Sequence, residues 1–101
     1  MKTATFHDEA IAELNEAIEY YESQCTGLGR ELRLATEAAV AQIESHPTRW
    51  PFYKDTPARH CLVRRFPYVI YYLDHPDHIW ILAVAHGKRR PDYWQSRLSD
   101  T

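Results

Sequence analysis

Residues 79–85 constrain the fold most, because all seven are apolar: Ile79, Trp80, Ile81, Leu82, Ala83, Val84 and Ala85. A strand with one wet face alternates apolar and polar side chains, whereas a strand covered on both faces is apolar throughout. We therefore expect these residues to form the central strand of a sheet, buried above and below. The run is far shorter than the ~20 residues of a membrane-spanning helix, which excludes that alternative.

Apolar residues recur at helical spacing before Pro47 and at strand-like spacing after it. Asp8 is a candidate N-cap for an amphipathic helix that ends near Gln24, and a second helix is expected over residues 28–45. The segment 25–29 contains two of the three glycines, which favours a break there and hence a helical hairpin. The inner faces are predicted to carry Ile11, Leu14, Ile18 and Tyr21 in the first helix and Leu32, Ala35, Ala39 and Ile43 in the second.

Extended segments flank the two helices. Residues 1–6 predict a short first strand. After a proline-rich loop, strand-like runs cover residues 59–65, 68–73 and 79–85. Residues 87–97 begin as a basic turn and end in one helical turn. The loop holds three aromatic residues, Trp50, Phe52 and Tyr53.

The order β-α-α-β-β-β indicates an α+β protein, with a helical hairpin packed on one face of a mostly antiparallel sheet. Each helix has a single apolar face, so we expect the opposite face of the sheet to stay open to solvent, a partner or a substrate. A length of 101 residues favours one domain, residues 1–101, with its own hydrophobic core.

Charge is unevenly divided along the chain. Residues 1–50 carry a net charge of −5 and residues 51–101 carry +3, which leaves −2 overall. So small a basic surplus argues against strong nonspecific binding to nucleic acid. The first residues lack the apolar core of a signal peptide, and no apolar run is long enough for a membrane span. We therefore expect a cytoplasmic protein with no membrane partner.

The two cysteines and six histidines show no metal-ligand spacing, so the sequence predicts neither a metal site nor a cofactor. Cys25 and Cys61 are expected to be free thiols, buried or partly buried. His75 and His78 are expected to be solvated residues of a turn. The acidic face of the first helix is expected to be solvated as well; it comprises Glu9, Glu13, Glu16 and Glu19.

Several short motifs occur in a fixed order along the chain. They are Tyr20, Tyr21 and Glu22; Gly27, Leu28 and Gly29; Ile43 and Pro47; Arg64, Arg65, Phe66, Pro67 and Tyr68 with Ile70 and Tyr71; Ala83, Val84, Ala85, His86 and Gly87; and Arg90, Pro91, Tyr93 and Trp94. In this order and spacing they resemble the RelE/ParE superfamily of toxins from bacterial type II toxin–antitoxin, or plasmid stabilisation, systems. The resemblance covers nearly the whole chain and implies the β-α-α-β-β-β toxin fold and a cognate antitoxin that neutralises it.

The resemblance implies one of two targets: the ribosome with its mRNA for RelE-type toxins, or DNA gyrase for ParE-type toxins. The RelE-type strand typically starts with an arginine where this chain has Tyr68, and lysines upstream are replaced by Arg59 and Cys61. RelE-type nucleases are also strongly basic, whereas this chain has a pI near 6.3. These departures favour a ParE-like toxin that arrests growth by binding and inhibiting DNA gyrase. The alternative is a ribosome-dependent mRNA endonuclease.

Candidate site residues differ between the two alternatives. An endonuclease needs a proton-transfer group and cations around a phosphate. The residues with that chemistry, catalytic only if the nuclease alternative holds, are His86, Arg89, Arg90 and Tyr93. A gyrase inhibitor needs only a binding surface. The predicted binding residues are Arg64, Arg65, Tyr68, Trp94 and Arg97.

Overall fold

Two helices and four strands follow one another in the computed structural model, which describes residues 1–90 and 92–100. The elements are β1 (Ala4–Phe6), α1 (Asp8–Gln24), α2 (Leu28–Ser45), β2 (Arg59–Leu62), β3 (Tyr68–Asp74), β4 (Ile79–His86) and a 3-10 helix over Gln95–Asp100. The predicted α+β class and element order are confirmed. Pro91, a residue of the last motif of the resemblance, lies outside the described residues.

The strands form one sheet in the order β1-β4-β3-β2. β1 runs parallel to β4, whereas β3 runs antiparallel to both β4 and β2. β4 therefore has a strand on each side, and its residues 81–85 are all buried. The prediction of a central strand is confirmed. β2 ends earlier than the predicted residue 65, because Arg65 takes a positive φ of 72° in the turn that leads to β3.

The helical hairpin covers one face of the sheet, as predicted. Leu32 and Ile43 of α2 are wholly buried in the core that lies between the hairpin and the sheet. Gly29 lets the helices approach closely, since a Cβ added there would meet the Ile18 carbonyl oxygen at 2.6 Å. In residues 1–90 and 92–100, neither helix is long and apolar enough to cross a membrane.

α1 differs from the prediction at two places. Its N-cap is His7 rather than Asp8, because the His7 Nδ1 accepts a hydrogen bond from the Glu9 backbone N–H at 3.1 Å. Ile11 is 44% exposed and does not belong to the inner face. Two alanines of α1, Ala10 and Ala17, are buried in its place. Small side chains at these positions let α1 lie close against the sheet.

The second face of the sheet is not open, contrary to the prediction. Residues 92–100, which we call the closing segment, place the fully buried Trp94 on the Tyr71 ring, with 4.6 Å between ring centroids. Tyr53, from the loop before β2, contacts both rings. The physical reason is that β3 and β4 carry large apolar side chains on both faces, and covering the second face removes that surface from water.

β4 contains a β-bulge at Leu82. Tyr71 pairs with Ala83 and Tyr72 pairs with Ile81, so Leu82 has no opposite residue in β3. The bulge at Leu82 and the end of β1 opposite Ile81 leave backbone groups of β4 that need other hydrogen-bond partners. Side chains of α1 and of the closing segment supply them.

Candidate interaction site between α1 and β4

The Glu13 carboxylate of α1 is the centre of a polar network beside the bulge. Its Oε1 accepts a hydrogen bond from the Val84 backbone N–H at 3.1 Å, and its Oε2 accepts one from the Tyr93 hydroxyl at 2.6 Å. The side chain is only 12% exposed, so the prediction of a solvated Glu13 is wrong. The sequence did hold a signal: Glu13 lies three residues after Ala10 and four before Ala17, on the buried stripe of α1.

Arg97 of the closing segment pairs with Glu13. Its Nη1 and Nη2 donate to the two carboxylate oxygens at 3.1 and 2.9 Å, a bidentate arrangement. Nη1 also donates to the Leu82 carbonyl of the bulge at 2.9 Å. The two buried charges therefore neutralise each other and satisfy backbone groups that the sheet leaves unpaired.

Tyr93 is anchored by the same carboxylate. Burial raises the pKa of Tyr93, and the hydrogen bond to Glu13 raises it further. The Arg89 guanidinium stacks on the Tyr93 ring, with its Cζ 3.8 Å from the ring centroid. At neutral pH the Tyr93 hydroxyl is protonated, and it donates that proton to Glu13.

A cleft opens beside this network, between α1 and the end of β4, and we call it the α1–β4 cleft. Carboxylates lie on its helix side, and a histidine and an arginine lie on its sheet side. The helix contributes Glu13, Glu16, Ala17 and Tyr20, and the remaining lining residues are Tyr68, Val84, His86 and Arg89.

His86, at the end of β4, lines this cleft, and one of its ring nitrogens is occupied. Its Nδ1 accepts a hydrogen bond from the Lys88 backbone N–H at 3.0 Å. A backbone N–H can only donate, so Nδ1 is the unprotonated ring nitrogen and Nε2 carries the proton of the neutral ring. The ring packs edge-on against Tyr68, with 5.2 Å between centroids.

The four nuclease candidates are brought together only in part. Arg89 lies between the cleft and the ring of Tyr93, and its Nη1 is 3.8 Å from the Glu13 Oε2. Arg90 points elsewhere: its side chain is 82% exposed and its Nε is 3.6 Å from an oxygen of Asp92. His86, Arg89 and Tyr93 thus share one region, while Arg90 does not line the cleft.

The five predicted binding residues fall into three places. Tyr68 lines the α1–β4 cleft, and burial raises the pKa of its hydroxyl, with smaller contributions from nearby tyrosines and Glu16. Trp94 and Arg97 are buried inside the fold. Arg64 and Arg65 lie at the opposite edge of the sheet.

A second depression, the α2–β2 groove, lies at that opposite edge. Its floor is apolar, and Leu62 at its rim is 72% exposed. Arg64 and Arg65 border it, and Arg65 also donates to a carboxylate oxygen of Glu31 at 2.9 Å. The apolar lining residues are Ala35, Ala38, Ala39, Trp50, Cys61 and Leu62.

Both cysteines are free thiols, as predicted, with Cys61 buried and Cys25 exposed. The exposure of Cys25 differs from the prediction and follows from its place in the turn between α1 and α2. In the part of the chain that the structure describes, no three His, Cys, Asp or Glu side chains are grouped to hold a metal ion. The His75 and His78 rings lie 4.9 Å apart, and His78 bonds to Asp77 at 2.8 Å.

Comparisons with known proteins agree on one kind of relative. The family model described as the ParE toxin of the type II toxin–antitoxin system, parDE, matches residues 4–91. Among solved structures, the fold is similar to one chain titled "Chromosomal ParDE TA system from P. aeruginosa", with a TM-score of 0.62 and 15% sequence identity. The match covers 85% of this chain and 96% of that chain. No curated protein sequence gives a significant match.

Proposed function

Because the chain belongs to the ParE toxin family of type II toxin–antitoxin systems, we propose that residues 1–101 form one toxin domain that arrests growth by binding and inhibiting DNA gyrase. A cognate antitoxin neutralises it. The protein acts by binding alone and catalyses no reaction. Action on gyrase places the protein in the cytoplasm.

The state of His86 and Tyr93 carries this proposal. An mRNA endonuclease must remove the proton of the attacking 2′-hydroxyl, which requires a group with a free lone pair. The His86 Nδ1 already accepts the Lys88 N–H, and its Nε2 is protonated in the neutral ring. The Tyr93 hydroxyl donates to Glu13, and its raised pKa keeps it protonated at neutral pH. These contacts leave neither His86 nor Tyr93 free to take that proton, so they favour a binding surface over the predicted nuclease site.

The charges around the cleft also favour binding. Arg89 and His86 face the carboxylates of Glu13 and Glu16 across it. Phosphodiester cleavage gathers negative charge in the transition state, and nearby carboxylates oppose that charge. In a phosphate-cleaving site the cations are directed at the phosphate, whereas the cations of this cleft face carboxylates.

The α2–β2 groove is the proposed antitoxin surface. β2 is an edge strand, and the loop before it pairs only with its first residues, Arg59 and His60. An extended segment can therefore add beside Leu62 and place apolar side chains in the groove. Arg64 and Arg65 favour an acidic segment. The sheet face behind Trp94 is covered and does not serve this purpose.

The proposal is tested by inducing the chain in growing cells, alone and together with the protein encoded by the neighbouring reading frame. We expect arrest in which plasmid supercoiling fails before translation, and relief on co-expression. The purified chain should inhibit supercoiling by purified gyrase without cleaving mRNA on ribosomes. Ribosome-dependent cleavage that disappears in both His86→Ala and Tyr93→Phe would instead establish the endonuclease alternative.

A further inference from the structure

The outer edge of β4 is only partly occupied. β1 pairs with Ile79–Ile81 of this edge and then ends. The Gly87 N–H bonds to the Pro67 carbonyl, so the backbone groups of Gly87 point toward β3. The backbone N–H and C=O groups of successive strand residues point alternately to the two sides of the strand. Those of Val84 and His86 therefore point away from β3. Glu13 accepts the Val84 N–H, and the Arg89 N–H donates to the His86 carbonyl at 3.0 Å, so the Val84 carbonyl and the His86 N–H are the groups that border the cleft. A short stretch of strand edge thus borders the α1–β4 cleft.

The sheet side of the cleft is built to receive an anion. His86 lines the cleft, and because its Nδ1 accepts the Lys88 N–H, its Nε2–H is left to donate to a ligand. Arg89 is held in position by the Tyr93 ring, while its nearest carboxylate contact, 3.8 Å to Glu13, is longer than a hydrogen bond. Its N–H groups therefore remain available to a carboxylate on a partner.

The helix side of the cleft is built to receive a cation. Glu16 is exposed and forms no ion pair with the residues that the structure describes. Tyr20, one helical turn further along α1, is 58% exposed and lines the same cleft. A carboxylate beside an exposed aromatic ring is a favourable environment for a lysine or arginine side chain.

We propose that the α1–β4 cleft receives an extended segment of the target protein. An acidic residue of that segment binds Arg89 and His86, and a basic residue binds Glu16. This inference rests on the proposed function and names the toxin surface that gyrase contacts. The occupant is a peptide segment and not a nucleic acid, because a chain of phosphates would pass the carboxylates of Glu13 and Glu16 on the helix side. The cleft lies at the opposite edge of the sheet from the α2–β2 groove.

The test reverses charge at each side of the cleft and measures supercoiling by purified gyrase. We expect Arg89→Glu and Glu16→Arg each to raise the half-inhibitory concentration by about 10-fold or more. The matched controls, Arg30→Glu on α2 and Asp55→Lys in the loop before β2, should leave it unchanged. Glu16 has no ion pair to lose, so its variant should melt like the wild type even if Arg89→Glu, beside Glu13, melts earlier.

A second pair of variants examines His86. Gln can place an amide N–H where Nε2 lies, whereas Leu cannot, so His86→Gln should inhibit gyrase nearly as well as the wild type and His86→Leu about 10-fold less well. Wild-type inhibition by both charge-reversal variants would overturn the cleft as the contact surface. Weaker binding of Arg89→Glu to a short DNA duplex, with gyrase inhibition unchanged, would overturn it in favour of nucleic acid. A wild-type chain that leaves gyrase unaffected would overturn the proposed function itself.

Discussion

Glu13 and Arg97 are charged residues in the interior. Their burial is tolerable only because each neutralises the charge of the other and satisfies its hydrogen bonds. The carboxylate uses both oxygens and the guanidinium uses both terminal nitrogens, and together they bond to the backbone at Leu82 and Val84. A buried charge without a partner lowers the free energy of unfolding by several kcal/mol. A fully hydrogen-bonded ion pair can leave it about the same as apolar residues of similar size would. At this position the pair also joins α1 to the closing segment.

Arg97→Met should destabilise the protein by about 3–5 kcal/mol, because it leaves the Glu13 carboxylate buried without its partner. Urea unfolding measures the loss. The double variant Glu13→Gln with Arg97→Met removes both charges and should recover a large part of it. A single Arg97→Met variant as stable as the wild type would show that the pair does not hold the closing segment.

Cys61 should make stability depend on alkaline pH. Burial raises the pKa of the Cys61 thiol to about 11, above its ordinary value of 9.0, so the folded state favours the protonated form. This contribution is complete below the ordinary pKa of an unfolded thiol and is lost as pH rises toward about 11. The free energy of unfolding should therefore fall more steeply above pH ~9 in the wild type than in Cys61→Val. Equal slopes would contradict the burial of the thiol.

At the scale of single elements, the central strand β4 stabilises the core, whereas the edge strand β2 is exposed to a partner. β4 is apolar on both faces and is enclosed, so it serves the core. β2 is short, ends in a turn at Arg65 and exposes Leu62. An exposed edge strand is available for pairing with another chain, and arginines beside it select against a second copy of the same basic edge.

Leu62→Lys should weaken antitoxin binding without affecting the fold. The side chain is 72% exposed, so its loss removes little buried surface from the isolated protein. Co-purification with the neighbour-encoded protein measures binding, and a decrease of about 10-fold in affinity is expected for an apolar anchor. Leu34→Lys on α2, which is exposed but does not line the groove, is the matched control. Equal affinity of the two variants would place the antitoxin elsewhere.

At the scale of the whole molecule, the closing segment converts a two-layer arrangement into one with protein on both faces of the sheet. Trp94 is the centre of that second core and contacts Tyr53 and Tyr71. The segment also carries Arg97, so it covers the second face and completes the network beside the cleft. Packing of the second core and geometry of the candidate site are therefore coupled.

Trp94→Ala should reduce the free energy of unfolding by about 3–5 kcal/mol, because it leaves a cavity over the sheet. Trp94→Phe keeps an aromatic ring on Tyr71 and removes a buried indole N–H that has no hydrogen-bond partner among the described residues, so it should cost much less. Thermal melting of the two variants checks the difference. Similar melting temperatures for Trp94→Ala and the wild type would mean that the second core adds little stability.

The sequence by itself determined the elements and their order, because hydrophobic period and glycine or proline breaks act over a few residues. It therefore predicted the helical hairpin and the burial of 79–85, which the structure shows for all of these residues except the partly buried Trp80, and the motif order indicated the family. It did not determine that Glu13, unlike the other three glutamates of the predicted solvated face, is largely buried, since its partners Val84, Tyr93 and Arg97 lie 71 to 84 residues away. The covered second face likewise depends on a distant segment that folds back over Tyr71. Those features arise from long-range packing, in which the burial of one residue depends on partners that lie far away in the sequence.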